Sequence, residues 1–182
     1  MKKYILIILL ISSNAQASSV IKEKIIEILS EVNNITFNFE QNIGGTIENG
    51  TCTIKYPKKI FCKYDLGNQK VLVSDGKSLV IKTNSSYYLY PLDETPLYFI
   101  LNKDFLLNKI NDLNERIIND KFVNFKFKES NTEISIFFDL DTYNLIGWQT
   151  LDIYQNITIT YLSSIRKNRN LDKDIFLIPD RN

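Results

Sequence analysis

Cys52-Thr53-Ile54-Lys55-Tyr56-Pro57-Lys58-Lys59-Ile60-Phe61-Cys62-Lys63-Tyr64 alternates apolar and polar residues, breaks at a proline followed by two lysines, and alternates again. A period of two marks a strand buried on one face, because successive strand side chains point to opposite sides. The break is a turn, since proline fixes φ and withholds a backbone N–H. The two halves therefore read as hairpin partners. Cys52, Ile54 and Tyr56 face the same side as Ile60, Cys62 and Tyr64.

The same pattern continues outward. Upstream, Ile35 to Gln41 alternates and adds Phe37 and Phe39 to that face, with Gly44-Gly45 and Asn49-Gly50 as turn signals. Downstream, Lys70 to Ser74 reads as a strand presenting Val71 and Val73. Asp75-Gly76 predicts a two-residue type I′ turn, and Ser78 to Thr83 presents Leu79 and Ile81. Tyr87 to Tyr90 ends this meander. Further strands are expected near 112–119, 122–128, 133–139, 145–154 and 157–163, with a last short extended piece at Phe176-Leu177-Ile178 before Pro179. Helical spacing appears in two places. Val20, Ile21, Ile25, Ile28, Leu29 and Val32 recur at steps of three and four. Thr95-Pro96 reads as an N-cap and first helical residue before Leu97 to Leu101, and Phe105-Leu106-Leu107 begins another turn of helix. The sum is one mainly β (α+β) domain of about ten or eleven antiparallel strands, a number that must curl or close.

Composition removes whole classes of chemistry. The chain of 182 residues has 22 basic and 21 acidic side chains and no histidine. Ser-His and Cys-His nucleophile pairs and His-ligated metals are therefore excluded, and no Gly-x-Ser-x-Gly elbow is present, so no enzyme and no cofactor is expected. A formal charge of +1 gives no footprint for nucleic acid. Asp139 to Asn144 spaces its acids like a calcium loop but lacks the glycine and closing glutamate, so it reads as a hairpin turn. Lys55, Lys58, Lys59 and Lys63 read as a solvated face.

The N-terminus reads as an export signal. Lys2-Lys3 precedes an apolar run, Tyr4 to Ile11, and small residues at Ala15 and Ala17 mark a cleavage site after residue 17. The run is too short to span a bilayer, which needs about 20 apolar residues. The mature protein is then expected to cover residues 18–182, with a formal charge of −1 once Lys2 and Lys3 are removed. Export places Cys52 and Cys62 in an oxidising compartment, where an even count favours a disulfide. The alternative is a pair of buried thiols acting as small hydrophobes.

These pieces, in this order, resemble the LolA family, the periplasmic carriers of outer-membrane lipoproteins. The resemblance runs through Phe39-Glu40-Gln41, Gly50, Ile54-Lys55-Tyr56-Pro57 and Val71-Leu72-Val73-Ser74-Asp75-Gly76-Lys77. It continues through Thr95-Pro96-Leu97, Phe138-Asp139, Asp152 and Phe176-Leu177-Ile178-Pro179. It implies an incomplete antiparallel β-barrel of about 11 strands, with a helical lid over an apolar cavity. The cavity would be lined by Phe37, Phe39, Ile54, Tyr56, Ile60, Tyr64, Val71, Val73, Leu79 and Ile81, and the lid would contribute Ile25, Leu29, Leu97, Ile100 and Leu101. It further implies a monomeric carrier of triacylated lipoproteins, loaded by an inner-membrane ABC transporter and unloaded at an outer-membrane receptor. One departure stands out. Tyr56 occupies the position of a family arginine that holds the lid through backbone carbonyls, and a phenol has one hydroxyl against five guanidinium donors. The expected gate is Tyr56 with the 95–101 helix. The alternative function is a barrel with a filled core, used as an envelope sensor or interaction module.

Overall fold

The computed structural model describes residues 14–129, 131–151 and 156–181. Eleven strands among them follow one another as antiparallel neighbours, and a single long-range pairing joins the two halves. They are β1 (Asn34–Ile43), β2 (Thr46–Lys55), β3 (Lys59–Tyr64), β4 (Val71–Asp75), β5 (Ser78–Lys82), β6 (Tyr87–Pro91), β7 (Arg116–Ile118), β8 (Phe122–Glu129), β9 (Thr132–Asp139), β10 (Leu145–Leu151) and β11 (Ile157–Lys167). The sheet order is β6-β5-β4-β3-β2-β1-β11-β10-β9-β8-β7, so the β1–β11 pair is the seam. β6 and β7 are the two edges, and the chain between them forms helices α2 (Leu97–Leu101) and α3 (Lys103–Asp112). The opening of an incomplete barrel is thus where the helical insert lies. The apolar run Tyr4 to Ile11 and Asp152 lie outside the described residues.

Side chains from both halves of the sheet and from the helices form one core. Ile54 and Ile60 on one side, Phe125, Ile136 and Phe138 on the other, and Ile25, Ile100 and Leu106 of the helices are all essentially inaccessible. The N-terminal helix α1 (Asn14–Ser30) and α3 lie antiparallel, each closing the other's exposed carbonyls. Lys22 Nζ donates to the carbonyls of Asn111 and Leu113, both at 3.1 Å. Lys103 Nζ donates to those of Ser30 at 2.8 Å and Val32 at 3.0 Å. Helix C-termini leave such oxygens without intrahelical partners and carry partial negative charge, so a lysine there stabilises twice over.

Several local readings change. Asn49-Gly50 is not a turn but the interior of β2, and the hairpin turns at Gly44-Gly45, both with positive φ. Gly50 lies between Phe39 and Tyr64 in register, and a Cβ there would stand 2.2 Å from the Lys63 carbonyl oxygen and 2.8 Å from the Phe39 ring. The residue is glycine for close approach, letting Phe39 meet Tyr64 edge-on at 4.9 Å. The β4–β5 turn has positive φ at Gly76 alone, which is the II′ pattern and not I′. Asp75 Oδ1 accepts from the N–H groups of Lys77 and Ser78. Thr95 does not cap α2 with its side chain. Its hydroxyl donates to the Leu92 carbonyl at 2.8 Å and closes the preceding 3-10 turn. α3 continues through Asp112, so β7 is shorter than the 112–119 reading. Of the extended piece expected at Phe176-Leu177-Ile178, Phe176 instead ends a 3-10 turn over 173–176 capped by Asp172, and Leu177 after it is extended.

Candidate functional site: a covered apolar concave face

Register decides which residues face the interior. Ile35 opposes Ile54, Phe37 opposes Cys52, and Ile54 opposes Ile60. Ile60 opposes Ser74, and Ser74 opposes Leu79. Opposed residues of antiparallel strands share a face. Phe37, Phe39, Ile54, Tyr56, Ile60, Tyr64 and Leu79 are buried, and Ile81 is half-buried against the same core. Cys52 and Cys62 oppose each other on this face, and their sulfurs are bonded at 2.00 Å.

Val71 and Val73 lie on the other face. Val73 opposes Phe61 and Val71 opposes Lys63, so the inward residues of β4 are Leu72 and Ser74. Val71-Leu72-Val73 carries three consecutive apolar residues, and such a run holds no alternation from which a face can be read. A slip of one residue then exchanges the faces. Both sides of β4 are apolar because the outside is covered too. Val73, Val80 and Phe176 are buried apart from the main core, and the C-terminal turn bearing Phe176 packs on β3 and β4.

The cover meets the concave face through Ile25 and Leu29 of α1 and Ile100 and Leu101 of α2, all buried, with Leu97 half-buried. Besides the lysine bonds between α1 and α3, two attachments tie α2 and α3 to the sheet. On one side the Lys58 N–H donates to the Leu101 carbonyl at 2.8 Å. Its Nζ sits 4.7 Å from the centre of the Tyr98 ring, and its own carbonyl accepts from Ser74 Oγ at 3.1 Å. On the other side an aromatic series runs Tyr98–Phe99–Phe105–Phe127 at centroid spacings of 5.4, 5.2 and 5.8 Å. Lys109, ion-paired to Glu129, lies over Phe105 and Phe127. Tyr56 has no hydrogen bond to α2, and its neighbour Lys58 grips that helix.

The helices' own side chains occupy the concave face, and the void under the end of α1 is ≈ 20 Å³. It is bordered by Ile28, Leu29, Val32, Ile35, Tyr56 and Phe138 and by the β9–β10 turn. That turn is the hairpin expected at Asp139 to Asn144, with Thr142 donating twice to Asp139 Oδ1 at 2.7 Å. Those bonds hold the Asp139 carboxyl below the usual carboxylate range.

The far end of the concave face is polar, which strand alternation had not suggested. Lys70 and Glu48 form a mostly buried ion pair at 2.6 Å, with Lys70 Nζ 4.2 Å above the Tyr64 ring. Tyr64 donates to Gln41 Oε1 at 3.3 Å, and Gln41 donates to Thr160 Oγ1 at 3.0 Å. Burial, with the Glu48 charge, pushes the Tyr64 phenol up. Also missed was the half of the face built by Val123, Phe125, Ile134, Ile136, Phe138 and Trp148. The signal was present, since the 122–128 and 133–139 strands were read, but nothing in the sequence joins their inner face to that of β1–β5.

A family model, outer membrane lipoprotein carrier protein LolA, matches residues 30–179. The chain belongs to the LolA family. Solved structures agree on the fold. An uncharacterised conserved protein from Thermus thermophilus superposes with a TM-score of 0.52 at 8% identity, covering 91% of this chain and 96% of that one. MucB superposes at 0.51 and 10% identity, covering 91% of this chain and 64% of MucB. A LolA superfamily protein from Nitrosomonas europaea gives 0.45 at 10% identity, with 88% and 97% covered. No curated protein sequence matches this LolA-family chain.

Proposed function

We propose that this LolA-family protein carries lipoproteins between two membranes, taking their acyl chains between the helical cover and the concave face. The observation that carries this reading is a single apolar face shared by both halves of the sheet and covered by helices. Helices α2 and α3 are tied to the sheet locally, through a backbone bond and a stacked cation at Lys58, an aromatic series and an ion pair, and α3 to α1 through Lys22 and Lys103. Acyl chains are expelled from water at about 0.8 kcal/mol per CH₂, so a carrier needs apolar area and a cover that moves, and no catalytic group.

In this reading the chain is exported with its first 17 residues removed and works as a monomer in the periplasm. It receives triacylated lipoproteins from an inner-membrane ABC transporter and delivers them to an outer-membrane receptor. It uses no cofactor and binds no nucleic acid. Helix side chains seated on the concave face, with a void of only ≈ 20 Å³ under the end of α1, favour the second reading, a sensor or interaction module without acyl cargo.

One experiment separates the two. Purified protein is incubated with inner-membrane vesicles containing lipoproteins and an energised releasing transporter, and the soluble fraction is examined by native mass spectrometry. A complex carrying a triacylated lipoprotein supports the carrier. Protein that stays empty under conditions where a known carrier is loaded sinks it in favour of the sensor reading.

A further inference from the structure

Tyr56 and Tyr64 flank the same hairpin and point into the interior from its two ends, and the fold treats them differently. Tyr64 is served by a relay through Gln41 to Thr160. The Tyr56 hydroxyl is buried and has no hydrogen-bond partner among the described residues. A buried donor without a partner costs stability, and phenylalanine would give the same apolar wall without that cost. The void of ≈ 20 Å³ that Tyr56 borders has room for about one water-sized group. Its other walls are the last turn of α1 and Ile35, Phe138, Leu145 and Ile165. The amide oxygen of Asn144, also on the wall, is already engaged by Lys167 Nζ at 2.8 Å. With Tyr143 and Lys167 completing the wall, the site holds one unpartnered buried hydroxyl among mostly apolar side chains, at the junction of the cover and the sheet. What fits is a single acceptor atom carried on a hydrocarbon chain.

We propose that the Tyr56 hydroxyl donates a hydrogen bond to the carbonyl oxygen of an acyl ester or amide whose hydrocarbon lies along the concave face. This deepens the carrier reading and rests on it. The bond sets where the chain stops and the head group begins, so cargo is distinguished from plain hydrocarbon. Burial keeps the phenol protonated, and the donor is available at any physiological pH.

The test uses a matched pair of probes, palmitoyl-lysophosphatidylcholine and its hexadecyl ether analogue, which lacks the carbonyl. Binding is followed below the micelle concentration through the fluorescence of Trp148, the one tryptophan of the chain, which meets Phe37 edge-on at 6.3 Å. Wild type should bind the ester roughly five- to tenfold tighter than the ether, and Tyr56→Phe should bind both at the ether's affinity. Undiminished discrimination by Tyr56→Phe, or none by wild type, overturns the proposal. Failure of wild type to bind either probe removes the carrier reading itself. Melting at or above the wild-type temperature shows that the variant is folded. A measurement needing no variant is the infrared stretch of a carbon-13 ester carbonyl bound to wild type, where a downshift supports the hydrogen bond and an unshifted band refutes it.

Discussion

Single atoms decide more at Gly50 than anywhere else in the sheet. A methyl group there would collide with backbone, the Lys63 carbonyl oxygen and the Tyr64 Cα, neither of which can swing away. Gly50→Ala should cost about 1–3 kcal/mol, the usual range for overpacking, read from the midpoint of urea unfolding at unchanged slope. A wild-type midpoint would mean that the Phe39–Tyr64 contact does not depend on that close approach. Asp139 makes a second prediction, on pH. Its carboxyl is held low by the Thr142 hydroxyl and N–H, so the bonds stabilise the fold at pH values above the unfolded pKa of about 3.9. That stability is lost as pH falls through the lower folded value. Asp139→Asn keeps an acceptor but removes the titration, and the acid-side slope of stability against pH should become shallower. An unaltered slope assigns the acid sensitivity elsewhere.

Among elements, the helical cover is the part most open to local release. α2 is five residues long, and Lys58 attaches it to the β2–β3 turn. Lys58 has φ 67°, a conformation that glycine adopts freely, so Lys58→Gly keeps the backbone bond to Leu101 and removes the cation over Tyr98 together with its 3.5 Å hydrogen bond to the Tyr98 hydroxyl. Amides of α2 and of the first turn of α3 should then exchange with solvent about two- to fivefold faster, reflecting a cation–π contribution of roughly 0.5–1 kcal/mol. Strands β8 to β11 should be unaffected. Equal acceleration throughout would place the cover and sheet in one cooperative unit. The sequence made the elements themselves legible wherever alternation was clean. β1, β2 and β3 show their inward faces because each alternates apolar and polar residues. The Leu79-Val80-Ile81 run of β5 holds no more alternation than β4, and its inward face, Leu79 and Ile81, is legible only from the neighbouring strands. β4 was assigned as a strand but with its faces reversed, because Val71-Leu72-Val73 looks the same from either side.

For the whole molecule, the proposed carrier role would make loading a two-step event, because helix side chains occupy the concave face. If acyl chains enter only after the cover lifts, the rate of uptake of a fluorescent lipid should rise with concentration and then level off at the opening rate. Lys58→Gly should raise that plateau, since it weakens the closed state. A rate that climbs linearly throughout, unaltered by the substitution, would show that the lipid enters without prior opening.

The sequence by itself determined a mainly β chain, the hairpin that brings two cysteines onto one face, two helical segments, and the absence of histidine chemistry. Each of these follows from local periodicity or composition, which a linear string records. Tertiary structure alone decided that β1 pairs with β11, that Gly50 is reserved for a ring, and that Lys58 takes the grip on the helix. It also left the Tyr56 hydroxyl without a hydrogen-bond partner among the described residues. These depend on which distant segments pack together, and register and packing are properties of pairs of segments that no single stretch contains.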